Sequence, residues 1–421
     1  MNVFSKVFER NKFCDDYFIS LDIGSETIKA LVLRIDKKRE KVFIIGVGQE
    51  NQKQSNMQGS EINNVSDVVF ACKKAINIAV MSAKVNPTKV IIGMNEEFIK
   101  SMTVNVNYTR KNPRVKISAK ETKDIICKTK NDLFADIKKG TSKDEISNAD
   151  VIIASSIIAD IRIDGYGVMS PVGFKGNKIE LKIFNSVLSS KNLKIIKYIA
   201  KKLSLDVIDV LSEPYAVAIS MGIRETVKFN AILVDMGSKA TSVAVVSEGN
   251  VSNVKIFNVG GMAFTKSLAD EFNLEFSKAE KLKIKYSNKQ IQKELFNRIK
   301  KIFDCNYDIM LTGVKLSLKE LSGSNLLPTQ ILFYGGASQL LDISKVANKL
   351  FFEKEPSFLL KMKSSFVNSC DIVNVVDNTG MACNLQYVNS ISLASFVFDL
   401  AVEEDFHNKI LRNMIKMNFN K

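Results

Sequence analysis

The sequence predicts an α/β protein of two lobes built on a duplicated core, and three observations carry this. A β-rich meander near the N-terminus returns in the second half, amphipathic helical signal follows each copy, and a strand ending in paired glycines follows the second. Tyr17 to Gly24, Ile28 to Ile35 and Lys41 to Gly48 are β-rich runs split by short polar connections, the pattern of an antiparallel meander. Ala231 to Gly237, Thr241 to Val246 and Val254 to Gly261 repeat it. Asp22, Gly24, Ser25 and Gly48 fall on Asp235, Gly237, Ser238 and Gly261 at one constant offset (235 − 22 = 213). One Asp-x-Gly turn says little, because both residues are frequent in hairpins for backbone reasons. Two in equivalent places, each opening a meander, predict paired lobes with a cleft between them.

Helices that cover sheets are expected in such lobes. Val65, Val68, Val69, Cys72, Ala75, Ile76 and Ala79 recur at spacings of three and four, which gives one apolar face. Leu193, Ile196, Ile199, Ala200 and Leu203 do the same behind Ser189-Ser190, a predicted N-cap. Ser118-Ala-Lys-Glu121 has the capping-box pattern and opens a helix through Ile125, Ile126 and Leu133. Val346, Leu350 and Phe351 continue a helical pattern after Gly335-Gly336, while Ile391 to Val397 reads as a sheet-like run.

Composition narrows the chemistry. With 46% hydrophobic and 25% charged residues over 421 positions, the chain has enough apolar side chains for two or more domains. No apolar run reaches the ~18 to 20 residues of a spanning helix, and Met1 to Phe13 has no apolar core like that of a secretory signal; a cytoplasmic location is expected. The six cysteines (Cys14, Cys72, Cys127, Cys305, Cys370, Cys383) are scattered without a CxxC pair and read as reduced core thiols. A single histidine, His407, disfavours Ser-His-Asp or Cys-His catalysis. The charge of +15 and pI near 9.3 suit an anionic partner, or equally a Lys-rich solvated surface, and no nucleic-acid-binding signature accompanies them.

The candidate site lies where the two hairpin turns would face each other. Gly24 and Gly237 permit close backbone approach to a phosphate. Ser25 and Ser238 can donate hydroxyl hydrogen bonds to phosphate oxygens, and Asp22 and Asp235 can hold Mg²⁺ through its retained waters. Gln330 to Tyr334 meets Gly335-Gly336-Ala337-Ser338, where bare backbone leaves room for an adenine ring or forms an ordinary tight turn. At Leu211-Ser-Glu213-Pro214 a strand ends on an acid and Pro214 suits the first helical turn. Glu213 can orient a water as general base, or it simply favours a helix N-terminus through the macrodipole.

In this order, phosphate hairpin, Glu-Pro helix, second hairpin and Gly-Gly turn, the elements resemble those of the actin superfamily. Within it, the chain resembles the bacterial cell-division family FtsA over nearly its whole length. Gly46-Val-Gly48 through Gly59-Ser-Glu-Ile62, Asp164-Gly165 through Gly176-Asn-Lys-Ile-Glu180, and Gly260-Gly261-Met-Ala-Phe-Thr265 with Ala279-Glu280-Lys-Leu-Lys283 are similar to stretches of that family. The resemblance implies an actin-like fold with five-stranded cores. Subdomain 1A would be residues 1–86, 171–225 and 381–404, the relocated 1C 87–170, 2A 226–261 and 329–380, and 2B 262–328. It also implies an ATP and Mg²⁺ site of Asp22, Gly24, Ser25, Glu26, Asp235, Gly237, Ser238, Lys239, Thr241, Gly260, Gly261, Glu280, Lys283, Gly335, Gly336, Ala337 and Ser338, with Glu280 and Lys283 near the ribose.

The implied role is to tether filaments of the tubulin-like protein FtsZ to the inner face of the cytoplasmic membrane at the division site, while self-associating into filaments. Family members hold the FtsZ C-terminal peptide through 2B and other divisome proteins through 1C. Lys266 to Lys301 carries ten Lys or Arg against five acids, which suits an acidic peptide and equally a solvated basic helix. For the membrane, Phe406, Ile410, Leu411, Met414, Ile415 and Met417 fall on one half of a helix, with Lys409, Arg412 and Lys416 on the other. That pattern fits an interfacial helix on anionic lipid, or a terminal helix docked on the protein's own core.

The second turn departs from the family, which has a Gly-rich run ending in Thr-Thr-Asp where this chain has Gly237-Ser-Lys-Ala-Thr-Ser242. Lys239 would then supply a point charge to phosphate or point to solvent, and Ser242 removes a carboxylate. ATP binding with slow or negligible turnover is the expectation. The alternatives are a PilM-like pilus-assembly adaptor, which would lack the basic tail, and a sugar-kinase-type phosphotransferase, for which no sugar-pocket constellation is found.

Overall fold

The structure is a computed structural model that describes residues 17–58, 61–128, 151–222, 229–322, 326–343, 363–372, 374–402 and 408–411. Strands β1 (Tyr17–Ile23), β2 (Thr27–Asp36) and β3 (Lys41–Asn51) form the first meander. After the short hairpin β4 (Met57–Gln58) and β5 (Glu61–Ile62), helix α1 (Val65–Ala83) leads to β6 (Lys89–Met94). Then come β7 (Lys100–Thr109), helix α2 (residues 119–128), β8 (Val151–Ile163), β9 (Tyr166–Gly167) and β10 (Lys178–Ser189). Helix α3 (Ser190–Leu203), β11 (Asp206–Ser212) and α4 (Glu213–Gly222) return to the first lobe. The second meander is β12 (Ala231–Met236), β13 (Thr241–Ser247) and β14 (Asn250–Phe257), followed by helices α5 (Gly261–Phe272), α6 (Phe276–Ser287) and α7 (Lys293–Ser322). The chain ends through β15 (Gln330–Tyr334), β16 (Lys363–Phe366), β17 (Val375–Asp377) and α8 (Val388–Val402).

Both meanders form as the sequence predicts. The first lies in a six-stranded sheet of order β11-β6-β1-β2-β3-β17 and the second in a five-stranded sheet of order β14-β13-β12-β15-β16. The first core thus exceeds the expected five strands by β17, which pairs parallel with β3 although its residues fall in the span expected for 2A. Strands β1 and β12 occupy corresponding places, each antiparallel to the next strand and parallel to an incoming one. Covered on both faces, they read as nearly unbroken apolar runs. A separate sheet, β7-β10-β8-β9, holds β10, whereas β6 pairs in the first core. The strands therefore do not respect the expected 87–170 boundaries.

The helices at Val65 and Ser190 are present. Asn64 caps α1 through its side chain, and Ser189 accepts from the Asn192 N–H to cap α3. Helix α2 has half of its predicted capping box: Ser118 Oγ accepts from the Glu121 N–H at 3.1 Å, but Glu121 turns to the buried Arg110, 2.8 and 2.9 Å away. A bidentate guanidinium is a stronger partner than a backbone amide. Leu133 and the Val346 to Phe351 segment lie outside the described residues.

Three further expectations are corrected. Ile391 to Val397 is helical, part of α8, and Val388, Ile391, Leu393, Ala394, Phe396 and Val397 are all buried. A helix covered all round has no polar face, so its sequence shows no 3.6-residue stripe, and alternating Ser and apolar residues imitate a strand. Second, Gly48 and Gly261 are not structural equivalents. Gly48 sits inside β3 opposite Ala30, where an added Cβ would lie 1.9 Å from the Ala75 carbonyl oxygen of α1, while Gly261 opens α5. The cysteines are also not core thiols as a group, since Cys72 is buried but Cys127, Cys305, Cys370 and Cys383 are exposed, and Cys14 lies outside the described residues. Among the described residues, no helix is long and apolar enough to cross a membrane.

Candidate functional site

Asp22 and Asp235 are the penultimate residues of β1 and β12, so both stand at the carboxyl ends of central strands, where α/β sheets commonly bind ligands. Helices α4 and α8 pack together between the lobes and bring Glu213 and Asn389 to the same place. Asn389 Nδ2 donates to Glu213 Oε2 at 3.1 Å and to Asp235 Oδ2 at 2.9 Å. On the other side, Lys29 Nζ lies 3.2 Å from Asp22 Oδ2, which also accepts from Ser390 Oγ at 3.0 Å. Three carboxylates, each less than 10% exposed, therefore share one lysine.

Their electrostatics follow from burial. Desolvation pushes Glu213 well above the ordinary carboxyl range, and the neighbouring Asp22 and Asp235 carboxylates push the same way. Burial raises Asp235 to about 6, against the Asn389 hydrogen bond that favours its charge. For Lys29, burial acts downward, but Asp22, with Glu213 and Asp235 behind it, overrides this and holds the ammonium above its usual value.

These groups line a cavity of about 540 Å³ between the lobes. Asp22, Gly24, Ser25, Glu26, Glu213, Asp235, Gly237, Ser238, Gly261, Glu280, Lys283, Gly335, Gly336 and Ala337 all reach it. The two turns differ in support. Gln52 Nε2 donates to the Gly24 carbonyl at 2.6 Å, while the Gly237 turn is stacked under Gly260-Gly261, the Gly261 N–H donating to the Gly237 carbonyl at 3.0 Å and the Met262 N–H to the Ser238 carbonyl at 2.8 Å. At Gly260 an added Cβ would lie 2.3 Å from the Ser238 carbonyl oxygen, so this glycine serves packing of the turn. Gly335 adopts φ +92, and a Cβ there would sit 2.3 Å from Asp235 Oδ1. Ser338 Oγ closes that turn on the Gly335 carbonyl at 2.6 Å.

Four predicted residues do not line the cavity: Gly260, which packs on the turn, and the three that follow. Thr241 is buried and donates to the Val259 carbonyl at 2.7 Å. Lys239 neither reaches the cavity nor points into solvent: its Nζ donates to the Met57 carbonyl at 2.5 Å, joining the second turn to the first lobe. Burial lowers its pKa, opposed by Glu26. Ser338 acts through its turn. At the far end, Lys283 Nζ lies 2.8 Å from Glu280 Oε2 and donates to the Gly261 carbonyl at 3.2 Å. In the tail, Ile410 packs against the core of the four-stranded sheet and Leu411, 1% exposed, is part of it, with Asn408 Oδ1 accepting from the Ile158 N–H at 2.7 Å. Phe406, Met414, Ile415 and Met417 lie outside the described residues.

Sequence reading missed Lys29, Asn389 and Glu96. Lys29 stands opposite Asp22 in the β1–β2 register, as Ser242 stands opposite Asp235, so hairpin pairing counted outward from the turn would have found it. Glu96, on the cavity wall, is 6% exposed, accepts from the Ser101 N–H at 2.8 Å and leaves Oε1 without a partner. Burial pushes it up to about 7, against the Ser101 and Ser212 hydrogen bonds. Its folded pKa exceeds the unfolded value, so ionisation costs stability as pH rises from about 4.3 to about 7. E96Q is therefore expected to exceed the parent by ~3 kcal/mol at pH 8, with the difference vanishing near pH 4. Urea unfolding across that range measures it, and a pH-independent difference contradicts it.

The residues fit a phosphate-bearing ligand. Ser238 Oγ and Asn389 Oδ1 are buried polar atoms with no hydrogen-bond partner, a costly state that a ligand oxygen or a metal-bound water would relieve. Among the described residues no group of three or more His, Cys, Asp or Glu is placed to grip a bare metal ion.

Comparison with known proteins adds identity of sequence and of fold. The family model described as "Cell division protein FtsA" matches residues 232–382. "Cell division protein FtsA" of Pseudomonas aeruginosa is 21% identical over 359 residues, covering 79% of this chain and 80% of that protein. The protein of the same description from Neisseria meningitidis serogroup B is 22% identical over 367 residues, covering 80% and 82%. Among solved structures, one described as "PilM-PilN type IV pilus biogenesis complex" superposes with a TM-score of 0.64 at 14% identity over 92% of this chain and 98% of that one, a likeness of fold. The chain has the actin-like two-lobed α/β fold, and its resemblance to FtsA extends well beyond the segment that the family model matches.

Proposed function

We propose that this chain, similar to FtsA along about four-fifths of its length, is an ATP-binding, actin-like cell-division scaffold that links FtsZ filaments to the cytoplasmic membrane. The observation that carries nucleotide binding is the cavity itself, where the orphaned Ser238 Oγ and Asn389 Oδ1 converge with the Asp22-Asp235-Glu213 carboxylates between two Gly-Ser turns. Phosphates would lie on the Gly24-Ser25 and Gly237-Ser238 turns, the ribose by Glu280 and Lys283, and the base on Gly335-Gly336. Mg²⁺, held by Asp22 and Asp235 through its waters, would neutralise phosphate charge. Lys29 is placed to balance Asp22 and to attract phosphate.

Turnover is slow in this reading. Burial and its carboxylate neighbours hold Glu213 well above the ordinary carboxyl range, which favours its neutral form and disfavours it as the base that activates water. Ser242 supplies no carboxylate, and Lys239 is engaged with Met57.

In the same reading the β7-β10-β8-β9 sheet with α2 is subdomain 1C, and α5 to α7 form 2B, whose basic surface would take an acidic FtsZ peptide. Leu411 and Asn408 tie the start of the C-terminal segment to that sheet. A lipid-binding tail would therefore hold 1C close to the bilayer. Liposome co-sedimentation tests the tether: with anionic vesicles, the full chain should pellet and carry FtsZ with it when ATP is present, and a chain ending at Glu404 should not. Equal pelleting of both removes the tether from the account.

A further inference from the structure

Cys370 Sγ and Cys383 Sγ lie 3.5 Å apart, and both side chains are exposed. We propose that they form a redox-modification site, a dithiol that closes to a disulfide across the two lobes.

Each sulfur is held by its own local structure. Cys370 sits in the turn Ser369–Asp371, which follows β16 of the second lobe and is closed by Asp371 Oδ2 accepting from the Asn368 N–H at 2.7 Å. Cys383 lies beyond β17, in a loop wound around Asp377. That carboxylate accepts from the Thr379 N–H at 2.8 Å, from the Thr379 hydroxyl at 2.6 Å and from the Ala382 N–H at 2.8 Å. The Asn378 N–H donates to the Ile44 carbonyl at 3.1 Å, which fixes the loop to the first lobe. Two independently braced turns thus present their sulfurs to each other, and closing the bond needs a relative approach of only ~1.5 Å, to an S–S length of ~2.05 Å.

Solvent exposure lets a disulfide oxidant reach both sulfurs, which separates this pair from the buried Cys72. The hydrogen bond with Cys383 raises Cys370 above its ordinary value. With glutathione disulfide as oxidant, one thiolate attacks it to give a mixed disulfide and one glutathione. The second thiolate then attacks the protein sulfur and displaces the other glutathione. Each step forms one S–S bond and breaks one; the protein loses two electrons and two protons, and both appear on the two released glutathione thiols. The product ties the edge of the five-stranded sheet to the loop entering α8, and so restrains the lobes relative to each other.

The full chain is equilibrated in glutathione buffers from fully reduced to fully oxidised, quenched by alkylation and mapped by mass spectrometry. The expected result is a Cys370–Cys383 crosslink that appears with oxidation and is reversed by dithiothreitol, with the buried Cys72 still a free thiol when the quenched chain is alkylated in denaturant. The Cys370→Ser and Cys383→Ser variants, unchanged in unfolding midpoint under reductant, should lack it. Slower amide exchange over residues 379–390 in the oxidised chain is the expected sign of restraint. Full alkylation of both cysteines at every buffer ratio, or stable separate glutathione adducts without the crosslink, overturns the site, and unchanged exchange in the crosslinked chain overturns the restraint. Because the mapping is done on the parent chain, a misfolded variant does not weaken the test.

Discussion

Replacing Lys29 by methionine should lower the stability of the folded chain by ~3–5 kcal/mol at pH 8, the usual cost of leaving buried charge without its partner, and by less at pH 5. The lysine is 13% exposed and faces Asp22 at 3.2 Å, with Glu213 and Asp235 behind. Its own pKa is raised, so its contribution is present throughout the range below about 10.4 and is lost only in strong alkali. The pH dependence of the variant comes instead from the carboxyls. Burial raises Glu213 well above its ordinary range and Asp235 to about 6, so protonation of Asp235 as pH falls through that value removes part of the uncompensated charge. Urea midpoints of parent and K29M at the two pH values check this. A deficit of the same size at both would mean that Lys29 acts through packing rather than charge.

Gly48→Ala should be nearly as damaging for a different reason. The added methyl would lie 1.9 Å from the Ala75 carbonyl oxygen and 2.7 Å from the Ala79 backbone nitrogen, both in the spine of α1. A helix backbone cannot yield as a side-chain end can, so α1 must lift off β3, at a cost of ~3 kcal/mol or more. Gly46 faces the same helix, 2.1 Å from the Ala79 carbonyl oxygen by the same construction. Gly167→Ala is the control, since nothing lies within 4 Å of a Cβ there, and it should change stability by less than ~0.5 kcal/mol. Thermal unfolding of the two variants ranks them; equal melting temperatures for G48A and G167A would contradict the packing account.

What the sequence made legible were features with a short range. The Asp-x-Gly-Ser turns, the flanking strands and the cap at Ser189 each depend on neighbours within a few residues, and each announces its chemistry locally. Asn389 could not be read that way. It reaches Asp235 and Glu213 only because α8 packs on α4, more than 150 positions away in sequence. Helix α8 itself was hidden because total burial erases the polar face by which helices are recognised. Gly48 shows the opposite error: a match in register that looked structural arises from two unrelated close approaches, one to α1 and one at the opening of α5. Lys239 stood out correctly as a departure, but its partner, the Met57 carbonyl, belongs to the other lobe.

The most direct test of the central claim is isothermal titration of the full chain with Mg-ATP, paired with steady-state phosphate release from the same preparation. The account predicts saturable binding that Asp235→Asn weakens at least tenfold, together with turnover far below that of an active kinase. No saturable heat at millimolar ATP, or binding untouched by Asp235→Asn, would contradict it.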